Sequence, residues 1–122
     1  MGSTRCTAEP IDTLREKDRM MIKVMSLMKR KDGMAFADFR KWLLDEHVAF
    51  ARNLPGLRKY TANALIKENP DAPYDGITEL FFDSEQAMAD AFATDAGKAA
   101  GGDAAAHCSN RFRMVCEERP QF

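Results

Sequence analysis

Long hydrophobic runs are missing from this sequence. No apolar stretch approaches the ~18 residues that a membrane-spanning helix needs, and the N-terminus carries no apolar signal core. The chain is therefore expected to be cytoplasmic, with neither a membrane nor a secretory route. Cysteine is scarce and unpatterned: Cys6, Cys108 and Cys116 are odd in number, far apart and without a CxxC pair. That speaks against a disulfide framework or a zinc site and for reduced thiols. Neither Cys108 nor Cys116 has a local activating motif, so a nucleophilic cysteine is not expected. Only two histidines occur, far apart and outside any recognised metal-ligand motif, so no metal is expected. A Gly-rich phosphate cradle is also lacking, which makes Lys29-Arg30-Lys31-Asp32-Gly33 a solvated turn. Nor does one sign of charge prevail. Eighteen basic residues stand against nineteen acidic ones, for a net charge of −1. The scattered bases leave no footprint for nucleic acid or an anionic membrane.

What is present is enough for one core. The 122 residues suffice for a single domain and are too few for two. Residues 1–19 are polar and aperiodic and are expected to form a flexible N-terminal tail. The domain is expected over 20–118, and a short C-terminal tail over 119–122. Eight methionines, five of them between Met20 and Met34, suit adaptable core packing or the wall of an apolar pocket.

The chain is organised around FADFRKWLLDEHVAFARNLPGLRKY, residues 36–60. At about 100° per residue, Phe36, Phe39, Leu43, Phe50 and Leu54 form one apolar stripe, and His47 lies on it. An imidazole thus stands where the period calls for leucine. Trp42 lies about 100° from the stripe centre and is expected to flank the core or an interface. Leu54-Pro55-Gly56 should end the helix, since Pro disfavours helix in the residue before it and Gly accepts the reversal. The N-cap, Ala35, is a weak one.

Around this helix the pattern predicts strands at Met21–Met28, Leu57–Leu65, Tyr74–Phe82 and Phe112–Glu117. A second helix is predicted from Glu85, capped by Asp83 with Gln86 three residues on. Thr94-Asp95 should restart an Ala-rich segment that Gly101-Gly102 weakens or breaks. In the third strand, Ile77, Glu79 and Phe81 share one face, so Glu79 is a second polar intrusion among apolar neighbours. The order βαββαβ is an α+β arrangement in which two helices cover one face of an antiparallel sheet. The strands offer apolar residues to both faces, and a second copy of the chain is the expected cover for the other.

MIKVMSLMKRKDGM, FADFRKWLLDEHVAF, LPGLRKY and PYDGITELFFDSEQAM, in this order and spacing, resemble the EthD family, named for ethyl tert-butyl ether degradation. The resemblance runs from about Met21 to Glu117. It implies a ferredoxin-like fold that pairs into a dimeric α/β barrel, with a cleft between each sheet and its own helices. It also maps the helix histidine of the family to His47, the tyrosine of LPGLRKY to Tyr60 and the acidic residue of the third strand to Glu79. Where the family often carries Trp, this chain has Phe81, a position that shapes the pocket.

The site expected from these residues is a proton-shuttling pair, His47 and Glu79, if the helix lies on the sheet face that bears Glu79. Tyr60, Phe81 and Trp42 are the candidate ligand-binding residues beside it. Arg40, Arg58 and Asn63 are candidates for a carboxylate or carbonyl of the ligand. His107 reads as a surface residue. The expected function is that of a small-molecule-binding protein and cofactor-free acid–base enzyme of isomerase, dehydratase or lyase type, acting on a small apolar metabolite. An accessory or haem-binding protein without turnover, or a cofactor-free monooxygenase, are the alternatives.

Overall fold

The computed structural model describes residues 21–122, so the tail expected over 1–19 lies outside the described residues. The elements run β1 (Ile22–Arg30), α1 (Phe36–Lys41), a π-helical turn (Trp42–Glu46), α2 (Val48–Ala51), β2 (Lys59–Ala64), β3 (Gly76–Phe82), α3 (Glu85–Ala93), α4 (Asp95–His107) and β4 (Cys108–Glu117). The four strands form one antiparallel sheet in the order β2-β3-β1-β4. This is the expected βαββαβ, ferredoxin-like α+β arrangement.

Alternation divides the sheet. Ile22, Val24 and Met28 point toward the helices, together with Thr78, Leu80 and Phe82 opposite them, and all six are buried. They pack in two clusters. Ile22, Val24, Leu54, Leu80, Phe82 and Ala91 form one, and Met28, Phe39, Trp42, Leu43 and Ala104 form the other. The register puts Lys23, Met25, Leu27, Ile77, Glu79, Phe81, Phe112, Met114 and Cys116 on the opposite face. There Phe112 is 55% and Met114 44% exposed, an apolar surface that the helices among the described residues do not reach.

The first helix departs from a uniform period. His47 N–H donates to Trp42 O, five residues back, at 2.8 Å. On a regular helix, residues five apart differ by about 140° in direction; the wider turn reduces that angle, so Trp42 is buried in the core beside Phe39 and Leu43. The helix ends as expected before Pro55, with Gly56 at φ +77° reversing the chain.

Two local expectations are corrected. Ser84, not Asp83, caps α3: its Oγ accepts from Ala87 N–H at 3.1 Å, while the Asp83 carboxylate takes the Arg58 guanidinium at 2.7 Å. α4 continues unbroken through Gly101 and Gly102. Each glycine weakens a helix by about 1 kcal/mol, but Thr94 caps α4 through its Oγ1, and Ala100 and Ala104 are buried beneath it. Tertiary packing therefore outweighs propensity.

Candidate functional site

Between the two apolar clusters the sheet and helices do not close completely. A cleft of about 270 Å³ remains, lined by Val24, Leu54, Leu80 and Phe92, by small residues of α4, and by the polar side chains of Ser26, His47, Tyr60, Thr78, Arg111 and Arg113. Its walls are small because α4 presents Gly97, Ala100, Gly101 and Ala104 on that side.

His47 stands at the end of the π-helical turn, 8% exposed. Its Nδ1 lies 2.8 Å from Asp103 Oδ2. The same oxygen accepts the Trp42 indole N–H at 2.9 Å. A carboxylate only accepts, so Nδ1 carries a proton, and in the neutral imidazole the Nε2 lone pair is left for the cleft. One carboxylate thus fixes both the ring orientation and the tautomer of His47. Trp42 is the wall behind it. The indole stacks on the His107 ring, with centroids 4.4 Å apart and planes 12° from parallel, and also meets His47 at 4.8 Å. His107 Nδ1 in turn donates to Asp103 O at 2.7 Å.

Tyr60 joins the cleft from β2. Its hydroxyl is buried and has no hydrogen-bond partner among the described residues, which leaves a donor for a ligand oxygen. Burial pushes its phenol up to about 12. Between the ordinary value of 10 and that value, the unfolded chain gives up the proton and the folded one keeps it. The stability associated with Tyr60 is therefore full below pH 10 and is lost as pH rises through 12. Urea denaturation from pH 9 to 12 should show wild type losing up to about 2 kcal/mol more than Tyr60→Phe. Equal slopes would mean that the phenol titrates normally. Burial also pushes the Cys108 thiol up to about 11, which removes it as a nucleophile at neutral pH; its titration is common to both proteins and cancels.

The other sequence candidates lie elsewhere. Glu79 does not meet His47: it sits on the far sheet face, with Oε1 2.6 Å from Lys23 Nζ and Oε2 accepting from Asn63 Nδ2 at 2.8 Å. Lys23 and Asn63 hold its carboxyl below the usual range, against a smaller opposing effect of burial. Asn63 is therefore a partner of Glu79 and not a lining residue of the cleft. Phe81 is on that face too, beneath the ammonium groups of Lys23 and Lys59 at 5.0 and 5.4 Å. Arg40 donates to Leu65 O at 3.2 Å and Arg58 pairs with Asp83, both on the exterior. His107, expected at the surface, stacks on Trp42 and keeps 29% of its side chain exposed.

Asp103 was not foreseen. The signal was present as Asp103 and His107 four apart, one turn of helix, but a break at Gly101-Gly102 hides that register. Arg111 was missed because the strand was expected to begin at Phe112, whereas it begins at Cys108; Arg113 lay within the expected strand, but alternation alone did not say that its face borders a cleft.

The sequence model of the EthD domain matches residues 31–109, more than half of the chain. No curated protein sequence is significantly similar to this one. Among solved structures, an ethyl tert-butyl ether degradation (EthD) family protein from Bacillus halodurans is 25% identical, with a TM-score of 0.69; the match covers 82% of this chain and 100% of that one. A dimeric ferredoxin-like protein of unknown function from Thermobifida fusca is 17% identical, with a TM-score of 0.67 over 81% and 92% of the two chains. A hydroxynitrile lyase from Passiflora edulis, 12% identical, shares the fold at a TM-score of 0.65 over 85% and 98%. The expected kinship is thereby established, and this chain belongs to the EthD family.

Proposed function

We propose that this protein is a cofactor-free acid–base enzyme of the isomerase, dehydratase or lyase class, acting on a small and mainly apolar metabolite. The observation that carries this is the 2.8 Å contact of His47 Nδ1 with Asp103, which leaves Nε2 free at a cleft that Val24, Leu54, Leu80 and Phe92 also line. Nε2 is the base that takes a proton from an activated C–H, and as imidazolium it returns that proton to another atom of the substrate. Asp103 is a positioning residue that stabilises the imidazolium as it forms. The Tyr60 hydroxyl is placed to donate to the oxygen on which charge develops. The fold tolerates such chemistry, as the lyase from Passiflora edulis is built on it.

Proton abstraction is testable before any product is known. A panel of small ketones, lactones and 3-oxo acids, incubated with the protein in deuterated water, should contain members whose α-hydrogens exchange faster than in buffer, followed by proton NMR. His47→Gln should lower that exchange at least about 100-fold with an unchanged circular dichroism spectrum. Exchange at the buffer rate with every compound, or equal exchange with His47→Gln, would reduce the site to a ligand-binding cleft without turnover. Oxygen uptake with a phenolic substrate would instead point to an oxygenase.

The working assembly is a homodimer. Support comes from the exposed apolar sheet face around Phe112 and Met114 and from the dimeric Thermobifida fusca protein of the same fold. Light scattering at micromolar concentration should give twice the chain mass, and Met114→Glu should halve it by placing charge in that face. A monomeric wild type would overturn the assignment.

A further inference from the structure

At the β4 edge of the cleft stand two guanidinium groups that the proton-transfer chemistry above does not use. Arg111 and Arg113 are paired in register with Met28 and Ser26, so both lie on the helix-facing side of the sheet, and both line the cleft that holds His47. They also border a shallower open groove of about 500 Å³ that continues outward past Ser109 and Asn110.

Their surroundings set them apart from three of the other described arginines. Arg30, Arg58 and Arg119 each hold a carboxylate, those of Glu68, Asp83 and Glu117. Among the described residues no carboxylate lies within ion-pair distance of Arg111 or Arg113. Arg111 has one long contact, Nη1 to Gly101 O at 3.4 Å. Arg113 lies over the Phe92 ring, its guanidinium carbon 4.2 Å from the centroid. Although its side chain is exposed as a whole, this stacking withdraws the guanidinium partly from water. Desolvation, and then the like charge of Arg111, both act against its protonated form. Two adjacent cations without an anion, one of them stacked and held, raise the local potential and preorganise a fork for an oxyanion.

We infer that the substrate carries an oxyanion group, which Arg111 and Arg113 bind at the cleft mouth while its apolar body lies against Leu54, Leu80 and Phe92. This rests on the site proposed above and narrows its substrate class from apolar metabolites in general to apolar acids. The anchored group sets which carbon faces His47 Nε2, and its charge is balanced where a neutral ligand would leave the two cations opposed.

Calorimetric titration of the full-length protein at low ionic strength tests this with 2-naphthoate, 2-naphthyl phosphate and the neutral 2-naphthamide. At least one anion should bind tenfold or more tightly than the amide, and the better of the two identifies the oxyanion. The preference should vanish in Arg111→Gln/Arg113→Gln while affinity for the amide is kept. In wild type, the arginine Nε–H NMR signals of Arg111 and Arg113 should shift with the anion and not with the amide, a readout that requires no variant. His47→Gln should keep the full anion preference, so an inactive His47 and a missing anion site are separable outcomes. Equal binding of all three ligands, or a preference that survives the double substitution, overturns the inference.

Discussion

Asp103→Ala is expected to lose about 3 kcal/mol of folding stability and to release His47 from its single tautomer. Two donors depend on the same oxygen. The Trp42 indole N–H reaches Asp103 Oδ2 at 2.9 Å and His47 Nδ1 reaches it at 2.8 Å. Trp42 is 2% and His47 8% exposed, so water does not readily replace the lost acceptor. Each buried donor left without a partner costs about 1–3 kcal/mol. Chemical denaturation measures the loss, and nitrogen-15 NMR of the imidazole shows the tautomer. Wild type should show Nδ1 protonated and Nε2 free, and the variant a mixture. Asp103→Asn is the companion substitution. Its amide oxygen still accepts at the same point but carries no charge, so the fold should be largely kept. Proton transfer by His47 should nevertheless fall steeply, because nothing then stabilises the imidazolium. A stability loss below about 1 kcal/mol in Asp103→Ala, or an unchanged tautomer, would mean that the carboxylate does not hold the ring.

Gly97→Ala is expected to destabilise the protein by about 3 kcal/mol, the reverse of the usual effect. In a helix, alanine is favoured over glycine by about 1 kcal/mol. At position 97, however, an added Cβ would lie 2.5 Å from Ala91 O, 2.5 Å from Phe92 O and 2.6 Å from Phe92 Cα. All three are backbone atoms of α3, so no side chain can turn aside, and overpacking of this kind costs typically 1–3 kcal/mol and sometimes more. The relief available is for α4 to move away from α3. α4 carries Asp103 six residues further on and forms one wall of the cleft, so the same methyl should also weaken ligand binding. Thermal and urea unfolding test the first effect, and naphthoate titration the second. Gly101→Ala is the control. Its Cβ would meet nothing within 4 Å, so it should be neutral or stabilising. Similar behaviour of the two variants would show that the α3–α4 contact is not tight.

The fold was legible because it depends on period and punctuation. Alternation in YDGITELFF placed Thr78, Leu80 and Phe82 on one face and Ile77, Glu79 and Phe81 on the other, and the sheet follows that division. Pro55-Gly56 ended the helix where the chain does turn. The exceptions are local contests that sequence alone does not decide. Ser84 and Asp83 are both good caps, and the Arg58 guanidinium draws Asp83 away from the role. Gly101 and Gly102 weaken a helix that buried Ala100 and Ala104 nevertheless hold together.

The sequence by itself determined the element order, the family and the presence of an imidazole on a buried helix face, since each follows from residue type and spacing along one segment. Only the tertiary structure decided the partner of that imidazole. Alternation placed Glu79 on a defined strand face but did not say which face the helices cover; they cover the other, and Glu79 pairs with Lys23 and Asn63. Asp103 reaches His47 across 56 residues of sequence, by way of a π-helical turn that a fixed 100° period does not contain and a helix that continues through two glycines. Pairing between distant segments is set by how whole elements pack, and no local propensity encodes it.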